Sequence, residues 1–275
     1  MKIVGNKLLV FQQRDNNIMC ELFGFSSQKK QNITGYLKEF YSHSVDHPHG
    51  WGLVTFDGSA ASIEKEPVQA SKSLQLQARL SDSVEAAAAF GHIRYATIGQ
   101  VDYDNCHPYT KKDVTGRRWT LVHNGTIFSY PPLDAFTAVQ RGSTDSERIL
   151  LYLVSLINQA EQEAAQPLCA EQRFQIINDA VVKLAPENKL NLLLFDGEQM
   201  YVHTNYKNSL YRLEKEDSTM FATVPLSEED WKPVPFTQLL AYREGNQVFA
   251  GTKHRAEYVD REENLRYLYQ IFSDL

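Results

Sequence analysis

After Cys20 the run Glu21-Leu22-Phe23-Gly24-Phe25 is short, apolar and aromatic, is closed by Ser26-Ser27, and predicts a buried strand. The chain then turns polar, and a helix is expected from about Tyr36 to Ser44. Trp51 to Phe56 and Ala61 to Lys65 flank Asp57-Gly58, a dipeptide that tolerates positive φ, so the two segments should pair as a hairpin. Residues 70–82 read as helical, and the apolar run Ala87 to Arg94 leads into Tyr95-Ala96-Thr97 and a loop through Pro108. Trp119 to Val122 reads as a strand that ends at His123-Asn124-Gly125.

Between Ser146 and Asn158, Ile149, Leu150, Leu153, Leu156 and Ile157 recur at helical spacing, which predicts an amphipathic helix, and a second helix is expected over 170–184. Strand patterns then return at Leu190 to Phe195 and Met200 to Thr204 around Asp196-Gly197, and near 209–213, 219–224 and 247–250. Two blocks of strands with helices between them, few in βαβ alternation, predict an α+β fold of face-to-face sheets with helices outside. The tail from 256 to 275 is charged and helical in pattern, with Leu265, Leu268, Phe272 and Leu275 on one face, and is expected to pack on its own domain rather than on a partner. With no repeat or linker, one domain is expected.

Composition narrows the class. At 275 residues the chain can bury a core of several layers, and its 43% hydrophobic and 23% charged content matches globular proteins. No stretch reaches the ~20 apolar residues of a membrane helix, so no membrane partner is expected. A net charge of −6 without a Lys/Arg cluster argues against nucleic acid. Cys20, Cys106 and Cys169 are odd in number and lack CxxC spacing, which speaks against a disulfide framework and a thiolate zinc site and fits a reducing cytoplasm. Met1 to Ile18 turns polar after Leu8-Leu9-Val10-Phe11 without a small-residue cleavage site, unlike a secretory signal.

Met19-Cys20 is the most informative dipeptide. If Met19 is the first residue translated and is then removed, Cys20 becomes N-terminal, and its α-amine, titrating near ~8, can act as base to its own thiol. The alternative is a small apolar residue in a strand. Asn124 and Gly125 can aim a side-chain and a backbone N–H at a developing oxyanion, or form a hairpin turn. Arg94 follows an apolar strand, where a buried guanidinium needs a bound anion or an internal ion pair. Thr144-x-x-Glu147 reads as a capping box, with Asp145 in the first helical turn. Cys106 and His107 are adjacent and should point apart, so Cys106 reads as structural. His43, His47 and His49 lack carboxylate or thiolate partners at site spacing, and no metal is expected.

In order after Cys20 come Gly91-His92-Ile93-Arg94-Tyr95-Ala96-Thr97-Ile98-Gly99, Asn105-Cys106-His107-Pro108, His123-Asn124-Gly125 and Thr144-Asp145-Ser146-Glu147. This set resembles the class II glutamine amidotransferases, in which an N-terminal Cys is followed by G-H-x-R-x-A-T-x-G, H-N-G and T-D-[ST]-E. The opening Met19 to Leu22 and the His47 to Gly52 segment resemble stand-alone members. The resemblance implies a four-layer α/β/β/α sandwich of the N-terminal-nucleophile hydrolase type and a domain over 19–275, with 1–18 a propeptide or a misassigned start. The extension could also fold as a hairpin around Gly5-Asn6.

The resemblance further implies Cys20 as nucleophile, Asn124 and Gly125 as the oxyanion hole, Arg94 for the substrate carboxylate, Asp145 for its ammonium and Thr97 in the pocket wall. No cofactor is implied. The expected reaction is thiol-dependent hydrolysis of the side-chain amide of glutamine or of a γ-glutamyl compound through a thioester. The alternatives are a γ-glutamyl peptide or thiol-metabolite hydrolase and a non-catalytic subunit with Cys20 blocked. After the motifs no length remains for a synthase domain, so an ammonia acceptor is expected on a separate synthase subunit.

Overall fold

Alternation along Glu21–Asn32 (β1) sends Leu22 into an apolar layer with Phe90, Val122 and Leu193, and Phe23 and Phe25 into another with Leu37 and Phe40. The computed structural model describes residues 20–58, 60–96, 98–164, 166–264 and 266. Among these the further strands are Trp51–Asp57 (β2), Ala60–Glu66 (β3), Glu85–Ile93 (β4), Tyr109–Lys112 (β5), Arg118–Thr126 (β6) and Lys189–Phe195 (β7). Met200–His203 (β8), Tyr211–Glu214 (β9), Ser218–Ala222 (β10), Lys232–Pro233 (β11), Leu240–Arg243 (β12) and Asn246–Ala250 (β13) follow. The helices are Thr34–Ser42 (α1), Leu74–Ser81 (α2), Asp145–Ala164 (α3) and Ala170–Leu184 (α4).

The strands form two antiparallel sheets, ordered β11-β9-β10-β1-β4-β2-β3 and β13-β12-β8-β7-β6-β5. Leu22, Val54, Phe90, Val122, Leu193, Val202 and Phe221 fill the space between them. Outside the first sheet, Leu37 and Phe40 of α1 and Leu76 and Leu80 of α2 cover Phe23, Trp51 and Ala89. Outside the second, α3 and α4 place Ile149, Leu153, Ile177 and Val181 on Leu121, Leu192 and Leu194. This is the expected four-layer α/β/β/α sandwich, in which each sheet buries both faces.

The β2–β3 hairpin turns at Gly58 with φ 58°, and α4 has the predicted bounds. Several elements differ from expectation. β1 runs past Ser26-Ser27 because their hydroxyls are satisfied inside: Ser26 Oγ accepts Gly245 N–H at 3.0 Å and Ser27 Oγ donates to the Asp217 carbonyl at 3.1 Å. β6 continues through His123-Asn124-Gly125, which pair with Leu192, Asn191 and Leu190, so this tripeptide is strand and not a turn. β12 had no sequence signal and is held by β8 and β13. Residues 256–261 are not helical; Tyr258 N–H reaches the Asn205 carbonyl at 2.8 Å and Asn205 Nδ2 the Ala256 carbonyl at 3.1 Å, which keeps this stretch extended. Leu265, Leu268, Phe272 and Leu275, and the hairpin weighed around Gly5-Asn6, lie outside the described residues.

Candidate active site

Cys20 stands immediately before β1, at the end of the first sheet where β4 runs out into Arg94 and Tyr95. The Cys20 thiol donates to the Tyr95 carbonyl at 3.1 Å and Sγ accepts the Tyr95 N–H at 3.2 Å, so the backbone of one residue holds the sulfur through both its polar groups. Burial pushes the thiol pKa up, the Tyr95 N–H and the Arg94 charge pull it down, and Asp145 opposes them. Cys20, Arg94 and Asp145, 125 residues apart at the extremes, therefore act in one electrostatic field.

Arg94 is 3% exposed. Its partners are backbone carbonyls: Nη1 donates to Gln100 at 2.9 Å, and Nη2 to Ile98 at 3.1 Å and Gly99 at 3.0 Å. Carbonyl dipoles orient the guanidinium without neutralising it, and no carboxylate within the described residues pairs with it. The internal ion pair weighed from sequence is thus absent there. Asn105 fixes this loop, with Nδ2 donating to the Gln100 carbonyl at 3.0 Å and Oδ1 accepting Ser143 N–H at 2.7 Å. The loop that holds Arg94 is thereby tied to the segment preceding Asp145.

Asp145 opens α3 and is 4% exposed. Its carboxylate accepts Ile127 N–H at 2.8 Å and Ser146 N–H at 2.9 Å and has no cationic partner among the described residues, leaving a buried negative charge at a helix N-terminus. The capping box is half formed. Thr144 Oγ1 accepts Glu147 N–H at 3.3 Å, but the Glu147 carboxylate turns to Arg141 and Gly142 N–H, both at 2.9 Å, and ties down the loop before the helix.

Asn124 lies on the inner face of β6, the parity of Val122. Its side-chain amide hydrogen-bonds to none of the described residues, and Oδ1 is buried. Gly125 is required by close approach, because a Cβ there would lie 1.9 Å from the Lys189 carbonyl oxygen on β7. His123 faces the helices, with Nδ1 2.9 Å from Ser146 Oγ and Nε2 3.3 Å from the Lys189 carbonyl. A carbonyl only accepts, so Nε2 carries the proton and Ser146 donates to Nδ1.

Cys106 is buried with Sγ 3.3 Å from the Asp102 carbonyl, and its thiol is pushed up to about 11 by burial. His107 turns elsewhere, its ring 4.0 Å from that of His92. His43 Nδ1 meets Glu21 Oε2 at 2.8 Å, His47 Nδ1 meets the His43 carbonyl at 2.9 Å, and His49 Nδ1 accepts Ala96 N–H at 3.0 Å, so the three rings serve separate contacts. Among the described residues no three His, Cys, Asp or Glu side chains gather as a metal site, and no helix is long and apolar enough to cross a membrane. Thr97 lies outside the described residues. Sequence reasoning passed over the Tyr95 backbone, which holds the Cys20 sulfur and carries no side-chain signal.

The family model for class II glutamine amidotransferases matches residues 19–218. An uncharacterised protein of Methanocaldococcus jannaschii, MJ1515, is 27% identical over 262 residues, covering 86% of this chain and 72% of that protein. Escherichia coli YafJ, provisionally named a glutamine amidotransferase, is 28% identical over 193 residues, covering 68% of this chain and 74% of its own. The fold is shared with the glutamine phosphoribosylpyrophosphate amidotransferase of B. subtilis, with a TM-score of 0.62 and 19% identity over 86% of this chain and 49% of that enzyme. With a family match running from Met19 through every motif of the site, the chain belongs to the class II glutamine amidotransferases, enzymes that cleave the glutamine amide.

Proposed function

We propose that the chain hydrolyses the side-chain amide of glutamine or of a γ-glutamyl compound through a thioester on Cys20. The observation that carries this reading is the pair of opposite charges, Arg94 and Asp145, uncompensated among the described residues, that act on one buried thiol. An α-amino acid presents an α-carboxylate and an α-ammonium, which complement these two charges in turn.

Cys20 Sγ attacks the amide carbon while its proton passes to the Cys20 α-amine, which is free when Cys20 is the first residue. The Asn124 amide and the Gly125 N–H receive the oxyanion. Collapse expels the leaving amine, which takes the proton from the α-amine, and water then hydrolyses the thioester to glutamate and the free thiol. Ammonia released from glutamine passes to a separate synthase or acceptor subunit, and a reducing cytoplasm keeps the three free cysteines available. The extension 1–18 and Met19 are then both absent from the active form.

The test is N-terminal sequencing of protein from its native host, followed by glutamate release from glutamine and from γ-glutamyl amides. A chain beginning at Cys20 that releases glutamate, with activity abolished in folded Cys20→Ala, supports the reading. Activity retained in Cys20→Ala removes the nucleophile. A chain that begins at Met1 and is inert makes it a non-catalytic subunit with Cys20 blocked.

A further inference from the structure

β3 and β5 are the outermost strands of their sheets, and residues of both line a cavity of about 260 Å³. None of Cys20, Arg94, Asn124 and Asp145 lines it. Half-buried Lys65 of β3 does. Its Nζ donates to the Cys106 carbonyl at 2.7 Å and lies 3.5 Å from the Pro108 carbonyl oxygen. The same Nζ is 4.8 Å from the centroid of the Tyr103 ring and 5.5 Å from that of Tyr109. Carbonyl dipoles and ring faces orient an ammonium but leave its charge in place.

Two more cations line the same cavity. Lys111 follows Tyr109 by two residues along β5 and so shares its face, and Arg141 comes from the segment before α3. Lys65, Lys111 and Arg141 form no ion pair with the described residues, and the Arg141 guanidinium makes no hydrogen bond with them. The lining also holds two carboxylates. Glu147 is occupied by the Arg141 and Gly142 N–H groups, both at 2.9 Å, and Asp104 is exposed, where water and salt screen it. Three cations against two acids leave positive charge in excess, and like charges gathered without partners favour an anion between them.

We propose that this cavity binds a small organic anion, a phosphate or carboxylate whose charge meets Lys65, Lys111 and Arg141 while a flat apolar body rests against Tyr103 and Val139. Both of these side chains line the cavity and are exposed, which gives it an apolar rim. The volume falls just below the ~300–1,000 Å³ of clefts that hold drug-sized ligands, so the occupant is small. The walls belong to segments that also serve the site around Cys20. Tyr103 and Asp104 lie in the loop whose Ile98, Gly99 and Gln100 carbonyls hold Arg94, and Val139 and Arg141 lie in the segment that leads to Asp145. The two segments interlock, since a Cβ on Gly142 would come to 2.8 Å from the Asp104 carbonyl oxygen, and Asn105 Oδ1 accepts Ser143 N–H at 2.7 Å. The anion site is separate from the proposed glutamine site and stands whatever amide Cys20 attacks.

The experiment is isothermal titration calorimetry of the full chain with phenyl phosphate, benzoate and, as the neutral control, benzyl alcohol, at low and high ionic strength. One anion or both should bind saturably at one site, more weakly as salt is added, and the tighter of the two tells phosphate from carboxylate. Lys65→Met and Arg141→Gln should each weaken that binding about tenfold. Saturation should also shift the ring resonances of Tyr103 in NMR spectra. Failure of both anions to bind overturns the proposal, as does benzyl alcohol binding as tightly as either. Wild-type affinity in both variants, or unmoved Tyr103 resonances, would put the anion elsewhere and overturns it too. If Lys65→Met does not fold, Arg141→Gln decides, because that side chain is exposed and bonded to none of the described residues.

Discussion

Ser146 Oγ donates to His123 Nδ1 at 2.9 Å, joining the first turn of α3 to the strand that carries Asn124 and Gly125. On its other side His123 donates to the Lys189 carbonyl at 3.3 Å, the same oxygen that lies against Gly125. One neutral imidazole thus braces the helix that presents Asp145 and the two strands that frame the proposed oxyanion hole. Replacing His123 with Ala removes two buried hydrogen bonds and leaves a cavity. We expect a loss of about 2–4 kcal/mol of stability by urea denaturation, with a larger fall in kcat than rise in KM.

Asn124→Ala removes a side chain that makes no hydrogen bond with the described residues, so the fold has little to lose. Its expected cost is in the transition state: kcat lower by about 10²–10³-fold with KM little changed, read by steady-state glutamate release. A variant with wild-type kcat removes Asn124 from the oxyanion hole.

Asp145→Asn keeps an oxygen for one of the Ile127 and Ser146 N–H groups, which the two carboxylate oxygens accept separately, and loses the negative charge. The expected result is a rise in apparent KM of about 10–100-fold with a smaller change in kcat. Arg94→Lys keeps charge but not the fork that spans the 98–100 carbonyls, and should raise KM and loosen that loop, which limited proteolysis detects.

Burial holds the His92 and His203 pKa values down to about 3 and lowers those of His107 and His123, so these rings are neutral when folded. The unfolded chain binds protons at these sites near ~6.5, where the folded chain does not. Their contribution to stability is therefore full above that pH and falls below it, by up to about 1.4 kcal/mol per pH unit for each histidine. Burial lowers His49 and His254 in the same sense, and His43, raised by Glu21, acts in the opposite one, one ring against six. Urea midpoints should be flat near pH 7–8 and drop steeply between about pH 6.5 and 4; a midpoint independent of pH across that window would show these rings protonated in the folded state.

The sequence by itself determined the elements whose signals lie within a few neighbouring residues. Asp57-Gly58 specified the hairpin of β2 and β3, and the spacing of apolar residues specified α3 and α4. The ordered motifs around Cys20, Arg94, Asn124 and Asp145 identified the family, because each is a contiguous string. Four layers followed from two strand blocks with interposed helices.

Only the tertiary structure decided what depends on partners distant in the chain. Asn124-Gly125 has a turn's composition, yet β7 draws it into a strand through pairing with Asn191 and Leu190. β12 exists because β8 and β13 satisfy its backbone, a condition no local pattern expresses. Arg94 is held by loop carbonyls and not by an acid, and the Cys20 sulfur is held by the Tyr95 peptide, contacts made by backbone atoms that every residue possesses. Lys189 faces the gap between the sheets through the parity it shares with Leu193, and a shift of one residue in β7 would turn that side chain to the opposite face.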